Sequence, residues 1–200
     1  PYLHTPEAIA QELDKTEVMR NILQTSERTD TITKIKVKLM QVKDIRGTAN
    51  RVTELQVLDD IELFELKAFS LLVVEMRELL LSANITVVSL PDLEPVVNIL
   101  DPEKMRIPHF YVYDAYSPEL AALRAKMKTL KIDGKTEERV LDQLLFEHTE
   151  LEDRIREKLS EQIHPYKKEI NEALTNTATL DILLAKAQQT INMQLCKPEI

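Results

Sequence analysis

Tryptophan is absent, glycine occurs twice and cysteine once among 200 residues. The scarcity of glycine, set beside abundant Leu, Glu, Lys and Ala, points to a mostly helical protein. A single cysteine, Cys196, excludes an internal disulfide framework and a cysteine-based zinc site, and it fits a reducing compartment. There is no signal-peptide pattern and no apolar run long enough to cross a bilayer. A soluble, cytoplasmic chain without a membrane partner is the expectation. Positive charge is also short: the net charge of −8 argues against holding nucleic acid by phosphate neutralisation over the whole surface. A local basic patch remains compatible with it.

What is present is a long helical pattern. Thr136 to Gln194 contains no glycine, and its one proline is Pro165. Leu141, Leu144, Leu145, His148, Leu151, Ile155, Leu159 and Ile163 recur at helical spacing before that proline. Ile170, Leu174, Thr177, Leu180, Leu184, Ala187 and Ile191 do so after it. If straight, such a helix would reach roughly 85 Å at 1.5 Å per residue. A helix of that length outgrows a small domain, so it reads as a stiff rod joining two ends. His164-Pro165 is expected to bend it, since an interior proline removes a helical hydrogen bond.

Thr5-Pro6-Glu7 is a helix start, with Thr5 as N-cap and Pro6 at the first helical position. Ser26 to Thr31 reads as a turn. Ile32 to Ile45 fits both a strand and a helix, and its length and surroundings favour helix. Gly47-Thr48 reads as a break, and Val52 to Leu81 as one long apolar helix buried from several sides. Ile85 to Val88 has the β-branched character of an extended piece. Pro91 is expected to open a short helix ending near Leu100, with a turn at Asp101-Pro102. Pro108 to Tyr116 holds Phe110, Tyr111, Tyr113 and Tyr116, four of the nine aromatic residues. An extended segment or hairpin packed on helices suits it better than a base-stacking platform, which would need basic companions beyond Arg106. Ser117-Pro118 starts a further helix, and Lys131 to Lys135 reverses the chain before the rod, making the flanking helices antiparallel neighbours.

Few residues carry chemistry. Lys34, Lys36, Lys38 and Lys43 make the most basic segment and are candidates for a weak DNA contact, although a solvated face explains them better. Gly134-Lys135-Thr136 resembles the tail of a P-loop, but Thr129 stands where the first glycine belongs and a helix precedes the loop in place of a strand. Glu161-x-x-His164 has di-iron ligand spacing without a second copy. His148 and Glu152 share a helix face, too few for a metal site. His4 and His109 stand alone. No catalytic, cofactor-binding or metal-binding residue is assigned, and the chain by itself is not expected to be an enzyme.

Leu90-Pro-Asp-Leu-Glu-Pro95, Tyr113-Asp-Ala-Tyr-Ser-Pro-Glu-Leu-Ala-Ala-Leu-Arg124, Ile163-His-Pro-Tyr166, Thr179-Leu-Asp-Ile-Leu-Leu-Ala-Lys-Ala187 and Cys196-Lys-Pro-Glu-Ile200 occur in that order. Together they resemble the MutS family of DNA mismatch repair ATPases, over roughly Leu90 to Ile200. The resemblance implies the core and lever region of such a protein, in which long helices couple an ABC-type ATPase to DNA. It further implies ATP and Mg as cofactors of the full-length protein, double-stranded DNA as its partner, and a homodimer formed through the ATPase domain. The chain departs from the pattern where the family places its DNA-gripping clamp: only the turn Ile132-Asp-Gly-Lys135 stands there. The ATPase itself is not represented.

The expected architecture is therefore all-α: a helical core bundle with a long projecting antiparallel lever, plus one short β-hairpin or extended segment near 107–115. Residues 1–115 form the core, 116–194 the lever helices, and 195–200 the start of a linker to an ATPase domain. The expected function is coupling of ATP binding elsewhere to DNA binding. A helical protein–protein interaction module with no DNA role is the alternative.

Overall fold

The computed structural model describes residues 5–133 and 138–198. Within them the chain is all-α, and no strand occurs. Its helices are α1 (Pro6–Gln24), α2 (Thr29–Leu39), α3 (Arg46–Thr53), α4 (Asp60–Ser82), α5 (Glu94–Leu100), α6 (Pro118–Asp133), α7 (Glu138–Ile163) and α8 (Lys167–Asn192). Between α7 and α8 stands only a 3-10 turn, His164–Tyr166, so a helical run extends from Glu138 to Asn192. Pro165 falls inside that turn, where its missing N–H removes no α-helical bond. The long helical lever is thus present. The expected reversal at Lys131 to Lys135 and the Gly134-Lys135-Thr136 run lie outside the described residues, at least in part.

Two compact units make up the chain, and they alternate along it. Residues 1–42, 72–92 and 169–200 form the first. Its core buries Met19 and Ile22 from α1, Ile32 and Ile35 from α2, Val73 and Met76 from α4, and Ile170, Leu180 and Leu184 from α8. At about 1.5–3 kcal/mol per large apolar side chain, such burial outweighs any propensity term in these helices. Thr5 caps α1 by accepting from the Ala8 amide at 3.2 Å, as its Thr-Pro sequence predicts.

Residues 43–71 and 93–168 form the second unit. Here Leu63, Leu66 and Phe69 of α4, Val96 and Leu100 of α5, Leu120 of α6 and Ile155, Leu159 and Ile163 of α7 are buried. The stripe expected on α7 is therefore the face that packs. α6 and α7 run antiparallel, since Arg124 meets Glu152 and His148. Farther out on α7, Val140, Leu145 and Phe146 are exposed, Phe146 at 67%.

Four expectations need correction. Val52 to Leu81 is two helices: α3 ends at Thr53 and α4 begins at Asp60. Leu55 between them takes a left-handed φ of 55°, and the Gln56 amide closes back on the Arg51 carbonyl at 3.0 Å. Gly47 is no break; it lies in α3, with open space where a Cβ would stand. The short helix opens at Glu94 with Pro95 in its first turn, so Pro91 precedes it. Near 107–115 the extended alternative holds and the hairpin does not: the segment has no ladder partner and ends in a 3-10 turn, Asp114–Tyr116.

Candidate functional site

Most of the polar residues withdrawn from solvent lie in the second unit. Lys67, on α4, is wholly buried. Its ammonium donates to Asp101 Oδ1 at 2.9 Å, to the His109 carbonyl at 2.9 Å and to the Tyr113 hydroxyl at 3.1 Å. An ammonium has three protons, and all three are used. The Tyr113 hydroxyl passes its own proton to the His109 carbonyl at 2.9 Å. The Tyr113 ring also lies 5.2 Å from Nζ, close enough for a cation–π attraction.

Asp101 follows α5 and is 2% exposed. Its second oxygen accepts the Arg106 amide at 2.7 Å. Burial works against its charged form, but the Arg106 amide and the Lys67 ammonium outweigh that and hold the carboxyl below its ordinary value. Lys104 and Arg106 take left-handed φ values of 54° and 53° as the loop turns around this carboxylate. The loop thus accepts backbone strain to complete a buried ion pair.

A second network begins where the aromatic segment ends. Ser117 caps α6 by accepting the Leu120 amide at 3.2 Å. Two turns later Arg124 donates to the Val112 carbonyl at 2.7 Å, Asp114 Oδ1 at 2.5 Å, Glu152 Oε1 at 2.7 Å and His148 Nε2 at 3.1 Å. Because Nε2 accepts, the proton of neutral His148 belongs on Nδ1. Glu152 also accepts from Arg156 at 3.1 Å, and Arg156 reaches Asp60 at the start of α4 at 2.8 Å. Asp60 holds the Arg156 proton tightly, against the opposing effect of partial burial. A chain of alternating charge therefore runs Asp114, Arg124, Glu152, Arg156, Asp60, and it ties α6, α7 and α4 together. Next to it Ser160 Oγ accepts the buried Leu58 amide at 2.9 Å.

Both clusters pair their charges internally. Lys67 has no opening to solvent, and its three hydrogen-bond positions are taken. The arginines face carboxylates that already neutralise them. What the arrangement can do is hold three helices at fixed angles. Tyr113, Asp114, Ser117 and Arg124 each have a holding role here.

Three of the four lysines are engaged within the first unit. Lys34 pairs with Asp30 at 2.7 Å, Lys36 donates to Gln188 at 3.1 Å, and Lys38 pairs with Glu75. Lys43 is exposed and belongs to the second unit. His164 donates from Nδ1 to the Val52 carbonyl at 2.8 Å, while its Nε2 accepts from Lys167 at 3.2 Å. Both ring nitrogens are thus engaged, and Glu161 is exposed. Among the described residues no group of three or more His, Cys, Asp or Glu is placed to hold a metal ion. No helix among them is long and apolar enough to cross a membrane.

Sequence reasoning missed Lys67 and read Asp101 only as part of a turn. A lysine inside the most apolar helix was the available signal, since a lysine in such a place must find a partner. No protein-family model matches the chain, and no curated protein matches it either.

Proposed function

We propose that this chain is the core and lever region of a MutS-like DNA mismatch repair protein, relaying the state of an ATPase domain to DNA and performing no reaction itself. The supporting observation is the helical run from Glu138 to Asn192, broken by one 3-10 turn and no loop. Its first half is clamped to α6 and α4 by the Arg124–Glu152–Arg156–Asp60 network, so a displacement at one end is carried along the helix and not absorbed locally. No residue of this chain is assigned to ATP or Mg. Its one Gly-Lys-Thr run has Thr129 where a phosphate-binding loop needs its first glycine. On this reading both belong to another domain of a longer protein, as does its homodimer contact.

The coding sequence downstream of Ile200 tests the reading. A Gly-x-x-x-x-Gly-Lys-Ser/Thr loop following an apolar strand is expected there. An open reading frame that closes without one, or ATP hydrolysis intrinsic to the purified 200-residue chain, would overturn it. The exposed Phe146, Leu145 and Val140 favour a second reading, a helical module that binds a partner protein and has no DNA role.

A further inference from the structure

The end of α4 builds a cleft that the proposed relay does not use. α4 terminates in a left-handed residue, Asn84 at φ 52°, and the Ile85 amide returns to the Leu80 carbonyl at 2.9 Å. The chain then doubles back alongside the helix, and Asn176 of α8 holds it there by donating to the Ser89 carbonyl at 2.8 Å. Between helix and returning segment lies an opening of about 290 Å³, lined chiefly by Leu80, Leu81, Ile85, Val88 and Leu90, with Arg77 on its wall. That volume is at the small end of ligand-sized cavities and accommodates one or two apolar side chains.

Arg77 is one of the few arginines without an ion pair among the described residues, and it lines the cleft. Most arginines of the chain hold a carboxylate, as Arg51 holds Glu62 and Arg106 holds Glu94. Among the described residues, no carboxylate lies within ion-pair distance of Arg77, and no acidic residue stands three or four positions from it along α4. Leu81, across one turn, is 59% exposed. An apolar cleft with preformed walls and an uncommitted guanidinium at its edge is complementary to an apolar side chain next to a carboxylate, because guanidinium and carboxylate pair through two parallel hydrogen bonds. We infer that this cleft docks a short acidic segment of a partner protein, with a leucine or phenylalanine side chain in the opening and an adjacent Asp or Glu on Arg77. The inference stands whether or not the chain belongs to a MutS-like protein.

Amide NMR of the 200-residue chain tests it, with the blocked peptide acetyl-Asp-Leu-Phe-Asp-amide as probe and its Asn-for-Asp analogue as control. Titration with the acidic peptide is expected to shift the amides of Leu80, Leu81, Ile85 and Val88. R77Q is expected to weaken binding about tenfold, the loss typical of one charge-assisted pair. L81D places a competing carboxylate beside Arg77 at an exposed position, and it should weaken binding without altering the fold. No shifts in these amides, equal binding of the neutral analogue, or unchanged affinity in R77Q would each overturn the proposal.

Discussion

Lys67 Nζ lies 2.9 Å from Asp101 Oδ1, with both side chains withdrawn from water and the two positions 34 apart in the sequence. Each charge is tolerable only because the other is present. K67M should therefore cost about 3–5 kcal/mol in urea unfolding, since it strands a buried carboxylate. D101N should cost a similar amount for the opposite reason. In the double variant K67M/D101N the loss should be well below the sum of the two, the signature of a coupled pair. The pH dependence follows the same logic. A carboxyl held below its ordinary value of 3.8 adds stability above that pH and loses it as pH falls toward the native value. Wild type should lose stability on acidification below about pH 4, and D101N should lack that part of the slope.

Ser160 offers a cleaner case, because it carries no charge. Its hydroxyl accepts the buried Leu58 amide and donates to the Arg156 carbonyl at 2.8 Å. S160A removes little volume but leaves the Leu58 N–H with no acceptor. A loss of about 1–3 kcal/mol is expected. Hydrogen exchange should locate it: the Leu58 amide should lose protection more than its neighbours do, and a uniform loss would point to a global packing defect.

Arg124 joins the aromatic segment, α6 and α7 through four acceptors at once. Lysine keeps the charge but has one small head where the guanidinium has a planar fork. R124K should thus lose about 1–3 kcal/mol, close to the loss in R124M, because geometry and not charge is what matters there. Full stability in R124K would show that a point charge suffices.

How far the sequence disclosed this structure can be seen at three places. The caps at Thr5 and Ser117 and the stripe on α7 were readable, since each depends on residues within a few positions of one another. The loop between α3 and α4 was hidden by its own composition. Leu55, Val57 and Leu58 continue a helical apolar pattern, and a leucine in a left-handed cap is rare where glycine is usual. A signal was nonetheless present: Asp59-Asp-Ile-Glu62 forms a capping box, with Asp59 Oδ1 accepting the Glu62 amide at 2.8 Å and Glu62 Oε2 accepting the Asp59 amide at 3.0 Å. The cluster around Lys67 was only half readable: a lysine in an apolar helix signals a partner, but Asp101, His109 and Tyr113 lie 34 to 46 positions away and only the folded chain brings them to it.

The basic segment of α2 provides the last prediction. A phosphate contact stabilises binding by releasing condensed counterions, and a lysine already neutralised by a neighbouring carboxylate contributes less to that release. Lys34 and Lys38 have such neighbours in Asp30 and Glu75, and Lys36 is engaged with Gln188. Changing Lys34, Lys36, Lys38 and Lys43 to glutamine should leave duplex DNA affinity within about twofold and the salt dependence unchanged, since four true phosphate contacts would lower the slope by about 3.6. Fluorescence anisotropy from 50 to 200 mM salt is the measurement. A slope reduced by three or more would mean that these lysines leave their carboxylates for DNA, and α2 would then be a nucleic-acid contact in its own right.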